Sequence, residues 1–237
     1  MTRVRINKFL SSNGICSRRS ADEHIRAGKV KVNGIIAKLG DSIDPKIDKV
    51  VVNDKIIIAT SKLEYYAFYK PRGVVATKSD ELGRKSIADY IPDEKKLNPV
   101  GRLDMDSEGL IILTNDGELI QQLTHPSFKH EKEYYVEANM SESFKISDLN
   151  RLTKGINIKG TRMQAKSIDK IKIEKRKNMI KFNLVLTTGY NRQIRRMCDK
   201  IGLSVCTILR VRIGKLVLNE IGLRAGQLKS IDRDQMI

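Results

Sequence analysis

The spacing of apolar and polar positions changes several times along this chain, and each change marks an element. Ile6, Phe9 and Leu10 recur three and four apart, one face of a short helix that Asn13-Gly14 ends. A second short helix begins near Ser17 or Ser20, where Ser20-x-x-Glu23 has the spacing of a capping box, and stops at Gly28. Val30 and Val32 then alternate with Lys29 and Lys31, and Asn33-Gly34 supplies a hairpin turn. Val50-Val51-Val52, the turn Asn53-Asp54 and Ile56-Ile57-Ile58 read as a further hairpin. Two helices feeding a small sheet make a module of their own over 1–60, with Thr60-Ser61-Lys62 as the linker out of it.

A second domain, 61–237, begins with the aromatic strand Tyr65-Tyr66-Ala67-Phe68-Tyr69. Lys70-Pro71-Arg72-Gly73 breaks it, and Val74-Val75-Ala76-Thr77 resumes extended chain. Leu110-Ile111-Ile112-Leu113 is a buried strand, and Asn115-Asp116-Gly117 caps a helix running to about residue 123. Strand 133–138, helix 144–152, a hairpin of 168–173 and 179–187 turning at Lys175-Arg176-Lys177-Asn178, and helix 192–201 ending at Gly202 complete the pattern. Residues 232–237 are expected to fray. Strands outnumber helices, so the fold class is α+β.

Charge changes the picture more than length does. Forty-five Lys and Arg against 28 Asp and Glu leave a formal charge of +17, which favours a polyanionic partner, nucleic acid before an anionic membrane surface. No apolar run approaches the ~20 residues that span a bilayer, and Met1-Thr2-Arg3-Val4-Arg5 leads into no apolar core of a secretory signal. Three cysteines, Cys16, Cys198 and Cys206, are odd in number and lack Cys-x-x-Cys spacing, so they fit buried thiols in a reducing cytoplasm. His24, His125 and His130 have no metal-ligand spacing. Asp104 and Asp106 lack the further acidic residues that a Mg²⁺ site needs, so neither metal nor cofactor is expected.

The densest chemistry lies in Gly101-Arg102-Leu103-Asp104-Met105-Asp106-Ser107-Glu108-Gly109-Leu110, three carboxylates and an arginine at the mouth of a buried strand. Asp106 and Ser107 suit the capping of turn amides, which leaves Asp104 less explained by structure alone, and a carboxylate can act as a covalent nucleophile. Val100-Gly101-Arg102-Leu103-Asp104 with Ser107-Glu108-Gly109-Leu110 resembles the signature of the RsuA-type ribosomal RNA pseudouridine synthases. In that family the aspartate matching Asp104 is the catalytic nucleophile. The words Arg-Ile-Asn-Lys-Phe-Leu, Cys-Ser-Arg-Arg and Val-Asn-Gly make the N-terminal module similar to the S4 RNA-binding domain. Arg5, Lys8, Arg18, Arg19 and Arg26 on its polar faces become candidate RNA contacts, against the plainer reading of a solvated helix face. Tyr69 stands where the family's Asn-Lys-Pro-x-Gly word commonly has asparagine.

Strand alternation points Tyr134 and Tyr135 to opposite faces. Lys132-Glu133-Tyr134 matches the family's Lys-x-Tyr, whose tyrosine packs against the flipped uracil, and this selects Tyr134. In Gly189-Tyr190-Asn191-Arg192-Gln193-Ile194-Arg195-Arg196-Met197 the three arginines share one helical face. The arginine after Gln-Ile matches Arg195, which in the family pairs with the catalytic aspartate, and Arg192 and Arg196 are left as phosphate contacts. Asp199 is the only acidic residue from Lys181 to Lys215, so this face is expected to hold RNA backbone. In related enzymes the arginine matching Arg102 helps displace the extruded nucleotide.

The resemblance implies an S4-like domain followed by a mixed α/β synthase domain on a bent, mainly antiparallel sheet. Its implied activity is cofactor-independent isomerisation of uridine in structured ribosomal RNA. The His-Glu-Lys-Glu-Tyr and Asn-Arg-Gln-Ile-Arg-Arg-Met-Cys words lean toward large-subunit (23S) RNA, with small-subunit or transfer RNA as alternatives. A cytoplasmic monomer is expected. The rival from another class is a non-catalytic RNA-binding assembly factor that keeps the fold.

Overall fold

A computed structural model describes residues 3–58, 62–78, 80–92 and 95–236, and the chain divides into two compact units. The first comprises Met1–Glu64, Asp93–Asn98 and Thr114–Gly117. Helices Ile6–Ser12 and Arg18–Arg26 bury Ile6, Phe9, Leu10, Ala21 and Ile25 against Val30, Val50 and Val52 of a four-stranded sheet. Both hairpin turns take positive φ at two successive residues, 51° and 87° at Asn33 and Gly34, 47° and 61° at Asn53 and Asp54. That geometry matches the twist of the flanking strands and is what asparagine, aspartate and glycine tolerate. The cap of the second helix is Ser17, whose side chain accepts from the Ser20 amide at 3.1 Å. Ser20 is thereby inside the helix, and the Ser20-x-x-Glu23 capping box does not form. Arg5 is not on a helix face: it lies in the short strand Val4–Arg5, opposite Ser42.

The expected linker Thr60-Ser61-Lys62 falls, apart from Lys62, outside the described residues, and the boundary at 60/61 falls with it. The helix that follows Asn115-Asp116-Gly117 is Gly117–Thr124, and Asn115 itself turns to another segment. Its amide nitrogen donates to Lys62 O at 2.9 Å and its oxygen accepts from Glu64 N at 2.9 Å, clamping the segment that follows.

Among the described residues, the second unit is built on a mixed sheet of nine strands. Its main path runs Ser167–Glu174, Met179–Leu186, Lys132–Met140, Leu203–Ile213, Glu108–Thr114, Tyr65–Lys70, Leu228–Ser230. Pairing is antiparallel through the first four and parallel between Glu108–Thr114 and Leu203–Ile213. Strand Glu108–Thr114 is buried from Gly109 onward, as its continuous apolar run requires. Lys132–Met140 instead alternates, burying Tyr134, Val136 and Ala138. Cys198 is buried in the core, which pushes its thiol up to about 12, and all three cysteines are free.

Several elements depart from the sequence pattern. Residues 74–77 form no strand, only a parallel bridge from Val75 to Ser86. The helix expected over 144–152 is a 3-10 turn, Ile146–Asp148, leading into Leu149–Lys154. Arg192 has φ 49°, so the following helix spans only Gln193–Asp199. Leu203–Ile213 is a long strand where the pattern predicts no element. Nor does the C-terminus fray as far as Met236, because that side chain is fully buried in the apolar cluster of Ala67, Leu110 and Ile213.

Candidate active site

The loop ahead of strand Glu108–Thr114 closes on itself, Ser107 N donating to Asp104 O at 3.1 Å, with Ser107 buried. A second turn braces it, because Gly73 N of the Lys70-Pro71-Arg72-Gly73 word donates to Met105 O at 2.7 Å. Gly109 then enters the sheet at φ 107°, where a Cβ would lie 2.4 Å from Arg210 O. Only glycine fits that backbone approach. The result is a half-buried Asp104 held on a rigid edge beside the parallel pairing of Gly109 with Arg210.

Asp104 opens on a cavity of about 570 Å³ that Arg102, Tyr134, Lys132, Arg192 and Arg210 also line. Tyr134 reaches it from strand Lys132–Met140, registered opposite Leu184 on one side and Arg210 on the other. Tyr135 does not line the cavity; its hydroxyl donates to Glu137 Oε1 at 2.6 Å. The alternation that separated the two tyrosines is therefore realised.

The arginine cluster is arranged differently from the expectation. Arg195 makes its close ion pair with Asp106, Nε 3.1 Å from Oδ2, and not with Asp104. That Nε is buried and out of line for a hydrogen bond, while Nη2 donates to Asp106 O at 3.1 Å and Nη1 to Val205 O at 2.8 Å. Asp104 acts on Arg195 only as a longer-range charge. Arg192 grips the other side of the same carboxylate, Nη1 and Nη2 at 3.1 and 3.2 Å from Asp106 Oδ1 and Oδ2. Asp106 is thus the counter-ion of two arginines and not a turn cap. Burial works to raise its pKa, but the Arg192 hydrogen bond and the charges of Arg195 and Arg192 prevail and hold it below the usual aspartate range. The turn before this helix is closed by Gln193, buried, whose Oε1 accepts from Thr188 Oγ1 at 3.0 Å and Tyr190 N at 3.1 Å. Arg196 is half-buried and outside the cavity wall, whereas Arg102 is exposed on its rim.

Three cations to which the sequence pattern assigns no role stand close to this site. Lys70 is fully buried, its Nζ donating to Pro71 O at 2.9 Å and Val74 O at 2.7 Å. Burial pushes it down to about 8 against the pull of Glu108, with Arg210 adding to the fall. Burial and then Arg210 push Lys132 down to about 8 as well. Arg210 itself is 2% exposed. In the N-terminal unit Arg18, Arg19 and Arg26 are exposed on the second helix, Lys8 is half-buried on the first, and Arg5 donates from Nη1 to Gly40 O at 2.8 Å. Among the described residues no group of three His, Cys, Asp or Glu side chains is placed to hold a metal ion, and no helix is long and apolar enough to cross a membrane.

The family model described as RNA pseudouridylate synthase matches residues 64–200. The chain belongs to the RNA pseudouridine synthase family. Ahead of that match, residues 4–46 of this synthase fit the S4 domain. It is 38% identical to the dual-specificity RNA pseudouridine synthase RluF of Escherichia coli K12, over 99% of this chain and 77% of the relative. It is 33% identical to the ribosomal large subunit pseudouridine synthase B of Bacillus subtilis, over 96% of this chain and 91% of that one. A crystal structure of a pseudouridylate synthase superposes with a TM-score of 0.66 at 27% identity, covering 98% of both chains. An S4 domain followed by a synthase domain on a mixed, mostly antiparallel sheet is thus this chain's arrangement.

Proposed function

We propose that this synthase isomerises a uridine of ribosomal RNA, in the large subunit, with Asp104 as nucleophile and the extruded base held against Tyr134. The observation that carries the reading is that Asp104, from the loop ahead of one strand, and Tyr134, from another strand, line one cavity. Its volume of about 570 Å³ accommodates a flipped nucleotide. A carboxylate on a rigid loop can attack a sugar or ring carbon, and an aromatic side chain offers a stacking face for a base removed from its helix. Arg195, braced by Asp106, supplies positive potential beside the carboxylate, and Arg102 stands at the rim where displaced RNA passes. Both relatives named for ribosomal or dual RNA specificity cover this chain almost end to end, which supports ribosomal RNA as the substrate. Arg18, Arg19 and Arg26, exposed on one short helix, supply the S4 unit's phosphate contacts. The enzyme acts as a monomer in the cytoplasm, in keeping with that substrate and with cysteines that are all free.

The test uses ribosomal RNA transcribed in vitro, with parent protein and Asp104→Asn, in the absence of metal and cofactor. Carbodiimide labelling and primer extension map new pseudouridines. The parent gives a stop on large-subunit RNA, and Asp104→Asn gives none while retaining RNA affinity. The same stop with Asp104→Asn would refute the nucleophile. Tight binding with no stop from either protein would leave an assembly factor.

A further inference from the structure

The cavity has a wall that the proposed nucleophile does not use. Arg210 lies on strand Leu203–Ile213, opposite Tyr134 in one pairing and opposite Gly109 in the other. Its backbone therefore lies between the strand that presents the tyrosine and the strand that leads out of the Asp104 loop, and its side chain lines the cavity. Nε donates to Leu110 O at 2.6 Å, and Nη1 reaches Arg102 O at 3.5 Å. Nη2 is buried and has no partner. Among the described residues no carboxylate forms an ion pair with it, and its charged neighbours include the cations Lys132 and Lys70. An arginine cannot shed its proton, so a fold that buries one with an unpartnered donor carries a cost at that donor. A ligand that brings negative charge to that donor removes it.

We propose that Arg210 is a further catalytic residue, its Nη2 donating to a carbonyl oxygen of the flipped uracil and stabilising the charge that the base acquires as it leaves C1′. This rests on the functional reading above. When the C1′–N1 bond breaks, its electron pair stays on the base and spreads over N1, O2 and O4. Arg210 contributes a hydrogen bond and transfers no proton. The pair is returned when C5 bonds to C1′, after which C5 loses its proton and N1 gains one, so the net change needs no oxidant or co-reactant. Addition of Asp104 to the ring instead places the same charge on the carbonyl oxygens, and the role of Arg210 is unchanged. A preorganised donor aimed at developing charge in a water-poor site is the arrangement that accelerates such steps most.

The experiment compares the parent with Arg210→Gln under single-turnover conditions on two RNAs, one with uridine and one with 5-fluorouridine at the modified position. Fluorine makes the base a better leaving group, so it needs the arginine less. Arg210→Gln is expected to consume uridine roughly a hundredfold more slowly than the parent. The fluorinated base has no C5 proton to lose, so the reading on both RNAs is disappearance of the starting nucleotide. The fall in that rate is clearly smaller on the fluorinated RNA, and RNA affinity stays within about twofold because one buried donor contributes little to ground-state binding. Equal losses on both substrates would mean a structural role, and a rate near the parent's would remove any role; either overturns the proposal. If Arg210→Gln does not fold, Arg210→Lys serves. Its single ammonium cannot hold Leu110 O and reach the base together, so a full rate from it also overturns the proposal. Failure of the parent to modify any uridine would refute the functional reading itself, a result separable from an active parent beside an active Arg210→Gln.

Discussion

Asp106→Asn isolates the ion-pair cluster without touching the proposed nucleophile. The substitution keeps the shape of the side chain and removes the charge shared by Arg192 and Arg195. The Arg192 side chain is 46% exposed, so its pair contributes only about 0.5 kcal/mol. Arg195 is 14% exposed, and an ion pair to a group shielded to that extent lies between the surface and the buried case, at about 1.5 kcal/mol. The variant should therefore lose roughly 2 kcal/mol at neutral pH, or about 4–8 °C in melting temperature for a unit of this size. Because the folded-state pKa of Asp106 is depressed, its contribution is fully present above the ordinary aspartate value of 3.8 and fades as pH falls below that through the folded value. Urea melts of parent and variant at neutral pH and at pH about 3 read both effects. The gap in midpoint should be widest at neutral pH and shrink in acid. A gap under about 0.5 kcal/mol at neutral pH, or one that does not narrow, would refute the cluster as the brace of Arg195.

Two further perturbations address the frame and the helix proposed to contact RNA. Gly109→Ala places a methyl 2.4 Å from Arg210 O at φ 107° and should cost roughly 3 kcal/mol or more; a denaturation midpoint within about 1 kcal/mol of the parent would mean the two strands can part. Replacing Arg18, Arg19 and Arg26 together by alanine should flatten the dependence of log affinity on log salt, by about one for each phosphate no longer neutralised. An unchanged slope would take the S4 helix off the RNA backbone.

What the sequence made legible was whatever local chemistry decides. Asn33-Gly34 and Asn53-Asp54 announce their turns because few residues accept two successive positive φ values. The run after Gly109 announces a buried strand, and alternation separates Tyr134 from Tyr135. The features that the pattern misassigns depend on partners far along the chain. Asp106 looks like a turn cap until Arg192 and Arg195, more than eighty residues later, arrive on either side of it. Arg210 reads as one basic residue in a basic segment, although the β-branched alternation through Val205, Thr207, Val211 and Ile213 is a signal for the strand that carries it. Arg192 starts its helix one residue late through a left-handed φ that nothing in the residue type requires.

The parallel pairing of Gly109 with Arg210 sets an order of events in the making of this protein. The first helices and their hairpins close through contacts within the opening residues, and such short loops form quickly. The pairing that positions Asp104 must instead wait for strand Leu203–Ile213 and close a loop of about a hundred residues, a slow step in chain entropy. On a chain synthesised from its N-terminus, the helices of the S4 unit are in place while Asp104, the proposed nucleophile, still lacks the strand that fixes it. Competence to hold RNA precedes competence to change it.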